Sequence, residues 1–148
     1  AAAQPQAAQL AGRLGDGLIG VSPERDLLDE FDRAGGNGRP RYGQLTVCYA
    51  ESEAEAKRTA LEVWPNGGMS GSLGQELAIP EHYEAAAQLL DEDQVAETVV
   101  CGPDPERHLE AIREYEEAGY THVWVHQVGR DQDSFFRFYA EQILPKFS

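Results

Sequence analysis

The chain has 148 residues, of which 41% are hydrophobic, and this is enough for one domain with a hydrophobic core. Acidic residues outnumber basic residues by 26 to 12, which gives a formal net charge of −14. Such a charge repels phosphate backbones and anionic membrane surfaces, and the arginines are scattered singly without forming a basic patch. No apolar run reaches about 18 residues. The sequence therefore excludes a membrane-spanning helix and disfavours nucleic acid as a partner.

Two local features bear on the cellular compartment. The first residues, Ala1 to Pro5, include no initiator methionine and none of the basic and apolar segments of a signal peptide, so we expect a part of a longer cytoplasmic polypeptide. Cys48 and Cys101 lie in apolar, strand-like runs, which favours buried, reduced thiols, with a disulfide as the alternative. The cysteines and histidines lack the spacing of a zinc site, so we expect no metal.

Helical and strand-like patterns alternate in the first third of the chain. Apolar spacing predicts helices over residues 4–14 and 22–34 and strands over residues 18–21 and 42–50. Pro5 fits the first turn of the first helix. Ser22 is predicted to cap the second helix, with Pro23 at its first position, and Gly35–Gly36 ends that helix.

The remaining residues continue the alternation with one interruption. Ser52 and Glu55 are predicted to form a capping box for a helix that ends before Pro65. The glycine-rich residues 66–74 are predicted as a loop without regular structure. The later pattern predicts helices over residues 80–90, 93–97, 105–118 and 131–144, a short extended segment over 99–101 and a strand over 122–128.

Alternating strands and helices with apolar strands are typical of a parallel sheet covered by helices, so the predicted fold class is α/β. A sheet of three full strands has two open edges and one bare apolar face, which is too small to be stable alone. We therefore expect the missing strands to come from an absent N-terminal half or from a second chain. For the same reason we expect the isolated chain to associate, either with that half or as a homo-oligomer.

Four segments carry a resemblance to a known family. The segments are Leu10–Ile19, Val100–Glu106, Ala118–Val123 and His126–Gln132. Their order resembles that of luciferase-like oxidoreductases, and it is most similar to the coenzyme F420-dependent group around glucose-6-phosphate dehydrogenase, in which F420 is a deazaflavin. The resemblance spans essentially all of residues 1–148. It implies one partial domain, comprising about strands six to eight and their helices from a TIM (β/α)8 barrel whose N-terminal half is absent.

The resemblance also implies which residues contact the cofactor. In this family the groups that perform the chemistry lie on the N-terminal half, so no catalytic residue is assigned here, and we expect this chain alone to be inactive. The segment after strand five binds the ribityl-phosphate part of the deazaflavin in the family, and the matching residues are Ala3, Gln4, Gln6 and Ala7. The free N–H groups at the start of a helix opened by Pro5 suit such an anion.

The resemblance further implies part of the substrate pocket. The sugar-phosphate dehydrogenases of the family bind the substrate phosphate with a threonine and a lysine after strand six and a lysine on strand seven. The matching residues here are Val21, Glu24 and Thr46, and no lysine or arginine occurs between residues 65 and 100. Glucose 6-phosphate is therefore disfavoured, and a small neutral alcohol, aldehyde or ketone is favoured as the substrate.

The histidines are weighed by the element on which each one lies. His126 lies near the C-terminal end of the last predicted strand, which in a (β/α)8 barrel faces the active-site mouth. It is a candidate substrate-pocket residue, with a packed core histidine as the alternative. His82 and His108 lie on predicted helices and are expected to face solvent.

Three functions follow from these patterns. The leading interpretation is part of an F420-dependent oxidoreductase that transfers hydride between the deazaflavin and a small organic substrate. The second is a luciferase-like monooxygenase that uses flavin mononucleotide (FMN) on the same barrel, and this half does not distinguish the two cofactors. The third is a half-barrel without catalytic activity that serves as a binding or scaffold module.

Overall fold

A computed structural model describes residues 2–69 and 73–147 of the chain. The chain divides into two compact units. The first comprises Ala1–Leu45 and Leu109–His126, and the second comprises Thr46–His108 and Gln127–Ser148. Each unit is built from segments that are distant in the sequence, and each has its own core.

Helices and strands alternate along the described residues, except between β2 and β3, where several helices follow one another. The strands are β1 (Leu18–Gly20), β2 (Arg41–Cys48), β3 (Val100–Cys101) and β4 (His122–Gln127). The α-helices are α1 (Pro5–Leu14), α2 (Arg25–Phe31), α3 (Glu53–Val63), α4 (Leu73–Glu76), α5 (Pro80–Ala87), α6 (Glu92–Ala96), α7 (Pro105–Ala118) and α8 (Gln132–Phe138). π-Helical turns follow α2 over Asp32–Gly36 and α8 over Tyr139–Ile143, and 3-10 turns cover Pro65–Gly68 and Leu144–Lys146.

The strands form one sheet in the order β1, β2, β3, with β4 also paired to β2. β1 runs parallel to the first half of β2, from the Leu18–Arg41 pair to the Gly20–Gly43 pair. β3 runs parallel to the end of β2. The predicted parallel α/β arrangement is confirmed, and the extended segment predicted near residue 100 is one of the strands.

The first unit has a core of helix α1 and helix α2 against the strands. Ala8 on α1 and Leu27, Leu28 and Phe31 on α2 are all buried. The two helices approach closely at Gly12, where an added Cβ would overlap the carbonyl group of Phe31. The absence of a side chain at this position is what allows the contact.

Two buried tyrosines pack on glycines of the strands in the first unit. A Cβ added at Gly20 would overlap the ring of Tyr120, and a Cβ added at Gly43 would overlap the ring of Tyr115. The two rings meet edge to face, with their centroids 5.2 Å apart. Each hydroxyl donates to a backbone carbonyl, that of Tyr115 to Gln44 at 2.7 Å and that of Tyr120 to Ser22 at 2.9 Å. Glycine in the strands thus makes room for rings that also satisfy their own polar groups.

Several large hydrophobic side chains on the strands of the first unit, and one directly after β1, are about half exposed. Leu18 and Gly20 of β1 are buried, whereas Ile19 between them is 48% exposed. The other exposed members of this set are Val21 (54%), Tyr42 (41%) and Trp124 (55%). Ile19 and Tyr42 are register partners on β1 and β2, so their side chains lie on the same face of the sheet.

The second unit is organised around the pairing of β2 with β3. Cys48 lies directly beside Cys101 in the register, and the Gly102 N–H donates to the Cys48 carbonyl at 3.0 Å. Both cysteines are buried and carry free thiols, as the sequence predicts. Burial raises the pKa of Cys48 to about 12 and that of Cys101 to about 11, so both thiols stay protonated. The buried cluster around them contains Ala56, Ala60, Val95 and Val99.

Helix α7 carries a fully buried histidine in the second unit. The His108 ring receives or donates hydrogen bonds at both nitrogens: Nε2 lies 2.9 Å from the Gly102 carbonyl and Nδ1 lies 2.8 Å from the Tyr139 hydroxyl. Because a carbonyl only accepts, Nε2 carries the proton and Nδ1 accepts from Tyr139. The prediction that His108 faces solvent is wrong, because the residue is fully buried. Its two hydrogen-bond partners compensate for the loss of water.

Ser22 does not cap α2; the capping position is Glu24, and the Ser22 hydroxyl donates to the Glu24 carboxylate instead. The glycine-rich residues 66–74 are not wholly irregular, because Pro65–Gly68 and Leu73–Glu76 form short helices, while residues 70–72 lie outside the described residues. The capping of α3 by Ser52 is confirmed by a hydrogen bond from the Glu55 N–H at 3.3 Å.

We expect the Gly43→Ala substitution to lower the free energy of unfolding by about 1–3 kcal/mol, because its Cβ forces the buried Tyr115 ring to move. Urea unfolding followed by circular dichroism measures this change. Gly74→Ala is the matched control, since an added Cβ there has no neighbour within 4 Å. Equal effects of the two substitutions would contradict the packing described for Tyr115.

We expect the protein to lose stability as the pH falls from about 6.5, through the protonation of His108. Burial lowers the pKa of His108 in the folded state below 6.5, so the unfolded state takes up a proton first. The stabilisation is complete above pH 6.5 and is lost below it, by up to about 1.4 kcal/mol per pH unit. Unfolding in urea between pH 7.5 and pH 5.0 should show a shallower pH dependence for His108→Gln than for the exposed control His82→Gln. Parallel profiles for these two variants would argue against this role.

Candidate functional site

The start of helix α1 is the structural feature on which the predicted cofactor residues lie. Gln4 precedes the helix in an extended conformation and makes no side-chain capping hydrogen bond, and Pro5 occupies the first turn. The N–H groups of Gln6 and Ala7 lack an acceptor within the helix, as at any helix start. Ala3, Gln4 and Gln6 are exposed and Ala7 is half-buried. This end of α1 therefore presents accessible backbone donors.

The start of α1 is tied to the end of strand β1. The Ala2 N–H donates to the Ile19 carbonyl at 2.8 Å, and Ala2 is buried. Ala3 and Gln4 thus begin next to the last residues of β1. The predicted cofactor segment therefore begins near the end of β1, from which the turn with Val21 and Glu24 continues.

The turn between β1 and α2, residues Val21 to Glu24, contains two of the predicted substrate-pocket residues. Val21 and Glu24 are both exposed. The Glu24 N–H donates to the Ser22 carbonyl at 2.9 Å, and the Ser22 hydroxyl donates to the Glu24 carboxylate at 2.6 Å. These two bonds give the turn a defined shape around Ser22.

A third group, the Tyr120 hydroxyl, donates to the same Ser22 carbonyl at 2.9 Å. Burial raises the pKa of Tyr120 to about 12, and the nearby Glu24 carboxylate contributes to the increase. The phenol therefore stays protonated and remains a donor at neutral pH. Sequence reasoning did not identify Tyr120. Its signal is the glycine within β1, because a strand glycine often marks a close approach by another group.

His126 lies at the C-terminal part of β4, as predicted, and is half-buried. Its ring is stacked nearly parallel to that of Trp124, with the centroids 6.1 Å apart and the planes at 8°. Earlier on the same strand, His122 stacks on Tyr42 with the centroids 4.8 Å apart. The strand therefore presents aromatic and imidazole groups alongside the exposed apolar set.

Thr46, the remaining predicted pocket residue, lies on β2 and is half-buried. It belongs to the second unit, whereas Val21, Glu24 and His126 belong to the first. The start of α1, the β1–α2 turn and His126 all lie in the first unit, and Thr46 lies in the second.

None of the helices in residues 2–69 and 73–147 has the length and apolar character needed to cross a bilayer. Within the same ranges, no group of three or more histidine, cysteine or acidic side chains is arranged to hold a metal ion.

The chain is similar to known proteins along most of its length. It is 32% identical to the F420-dependent glucose-6-phosphate dehydrogenase of Beutenbergia cavernae, in a match that covers 99% of this chain and 47% of that protein. The chain thus spans about half the length of the curated relatives it matches.

Two solved structures share the fold. An F420-dependent secondary alcohol dehydrogenase in complex with an F420–acetone adduct matches with a TM-score of 0.76 at 20% identity, over 94% of this chain and 45% of that one. The F420-dependent tetrahydromethanopterin reductase of Methanopyrus kandleri matches with a TM-score of 0.70 at 17% identity, over 99% of this chain and 50% of that one. The predicted fold class, part of a luciferase-like (β/α)8 barrel, is confirmed.

The family itself follows from a match that covers most of the sequence. The model of the family described as luciferase-like monooxygenase matches residues 1–122. This chain therefore belongs to the luciferase-like monooxygenase family.

Proposed function

We propose that this chain is the C-terminal half of an F420-dependent oxidoreductase that acts on a small neutral alcohol or carbonyl compound. The observation that carries the proposal is the 32% identity to an F420-dependent glucose-6-phosphate dehydrogenase over 99% of the chain. A bound deazaflavin supplies the group that accepts or donates the hydride. The residues described here hold one end of that cofactor and form part of the substrate side.

The start of α1 fits the phosphate-bearing part of such a cofactor. The first turn contains no acidic side chain, and the capping position leaves the backbone donors accessible. The positive end of the helix dipole adds to the attraction for an anion. Because the donors belong to the backbone, we propose that Ala3, Gln4, Gln6 and Ala7 contribute mainly through their main-chain atoms.

We expect Gln6→Glu to raise the Kd of F420 in the intact protein by about fivefold, because a carboxylate near the cofactor phosphate costs on the order of 1 kcal/mol. The substitution should not lower the melting temperature, since an acidic residue in the first turn favours a helix. Titration of the cofactor's absorbance or fluorescence measures the Kd.

Gln6→Ala is the control for this experiment, and its Kd should stay within about twofold of the wild type if the backbone supplies the donors. Equal losses for both variants would assign the binding to the Gln6 side chain. A parallel titration with flavin mononucleotide distinguishes the monooxygenase alternative, because a preference for that flavin would overturn the proposed cofactor.

The substrate side lacks the cations that a phosphorylated sugar needs. Val21, Glu24 and Thr46 stand at the positions we match to phosphate-binding residues, and none of them is basic. Glu24 is exposed. Its Oε1 accepts the hydrogen bond from the Ser22 hydroxyl, and Oε2 takes no part in that bond. An anionic substrate near this carboxylate would be repelled, which supports a neutral substrate.

We expect kcat/KM for 2-propanol to exceed kcat/KM for glucose 6-phosphate by at least about 100-fold, because two lost charge-assisted contacts cost roughly 3 kcal/mol or more. Steady-state assays of the intact protein with F420 measure both values. Glu24→Lys should lower the inhibition constant of inorganic phosphate, whereas Glu110→Lys, which changes the net charge equally on the exposed surface of α7, should not. Efficient turnover of glucose 6-phosphate by the wild type would overturn the substrate class.

The catalytic groups of this proposal lie outside residues 1–148. We propose that the remaining half of the barrel supplies them and covers the exposed set Ile19, Val21, Tyr42 and Trp124. This chain alone is then inactive, and it associates with that half or with itself through the exposed face.

A further inference from the structure

We propose that Tyr120 is a positioning residue that fixes the β1–α2 turn, and with it the substrate-pocket residues Val21 and Glu24. The inference rests on the proposed function for its substrate, but the contacts that support it are independent of that function. Tyr120 precedes β4, and its hydroxyl reaches the turn through the space left by Gly20.

The Ser22 carbonyl is the centre of this arrangement. It accepts from the Tyr120 hydroxyl at 2.9 Å and from the Glu24 N–H at 2.9 Å, so one oxygen joins the turn to a buried side chain. The Ser22 hydroxyl then holds the Glu24 carboxylate at 2.6 Å. A change at Tyr120 would therefore reach the Glu24 carboxylate through two successive hydrogen bonds.

The position of Tyr120 is itself well determined. The side chain is 6% exposed, and its ring packs edge to face against Tyr115. The adjoining end of α7 is joined to α2 by a hydrogen bond from the Arg25 guanidinium to the Glu117 carbonyl. The donor is thus held by ring packing and by its neighbours in the chain, so we expect loss of the hydrogen bond to increase the mobility of the turn.

Tyr115 provides a matched control, because it is a buried tyrosine in the same cluster whose hydroxyl also donates to a backbone carbonyl. Its acceptor is Gln44, in the middle of β2 and not in a turn. Tyr120→Phe and Tyr115→Phe each remove one hydroxyl from a buried ring and should lower the melting temperature to a similar extent. Only Tyr120→Phe should change the turn.

The first measurement is hydrogen–deuterium exchange of the intact protein, followed over peptides that contain residues 21–25. Tyr120→Phe should increase exchange at the Glu24 amide by at least about fivefold relative to the wild type, while Tyr115→Phe should leave it unchanged. Unchanged exchange in Tyr120→Phe, or an equal increase in both variants, would overturn the proposal.

The second measurement is steady-state kinetics with 2-propanol as the probe, together with F420 titration. Tyr120→Phe should raise KM by roughly three- to tenfold with kcat and the Kd of F420 within about twofold, because it disturbs binding and not the reacting groups. An unchanged KM in a variant with increased exchange would remove the substrate role. If the wild type binds no F420 and oxidises no alcohol, the proposed function fails, and the exchange result alone still decides whether Tyr120 positions the turn.

Discussion

Parallel strands are normally buried on both faces, because the helices that connect them cover the sheet. The first unit of this chain meets that requirement on one side only. Leu18 and Leu45 are buried among the helices, while Ile19, Tyr42 and Trp124 remain largely exposed. The chain spans about half the length of the related proteins that it matches. The Ala2 N–H at the start of α1 is bonded to the Ile19 carbonyl, so the segment that we assign to the cofactor begins beside the exposed surface that we propose the rest of a barrel covers.

Hydrogen bonds from buried side chains to backbone carbonyls determine the local geometry in both units. Tyr115 and Tyr120 donate to carbonyls of residues in or next to the strands, and His108 donates to Gly102 at the end of β3. Each of these bonds satisfies a polar group that would be costly to bury alone. Because Ser22 follows β1 and Gly102 follows β3, the bonds from Tyr120 and His108 also fix the segments that follow these two strands.

Local patterns in the sequence predicted the elements well, because their determinants lie within a few residues. Pro5, Ser52 and the glycines after α2 and α7 mark helix ends by chemistry that acts locally. The fold class and the family followed from the order of several such segments. The start of α1 could be identified as a candidate anion site because Pro5 marks a helix start locally. The identity of the anion, a deazaflavin phosphate, was inferred only from the family resemblance.

The features that could not be predicted depend on contacts between distant residues. The local sequence pattern indicates that His108 is an exposed helical residue. Its hydrogen-bond partner Tyr139, 31 positions away, cannot be inferred from that pattern. Ser22 is a residue type that often caps helices. Its carbonyl instead accepts a hydrogen bond from Tyr120, 98 positions away, and helix α2 starts later, at Arg25. No local sequence rule links Tyr120 to the β1–α2 turn. The sequence alone therefore could not identify Tyr120 as the residue that positions this turn.

The two free, buried cysteines allow local opening of the second unit to be measured by alkylation. Only the thiolate reacts readily with alkylating reagents, and both thiols are buried with raised pKa values. Cys48 and Cys101 are also the only cysteines in the sequence. Alkylation therefore requires the buried cluster around these thiols to open, and the labelling rate measures how often this part of the second unit opens. The second unit can in this way be followed without introducing any foreign probe.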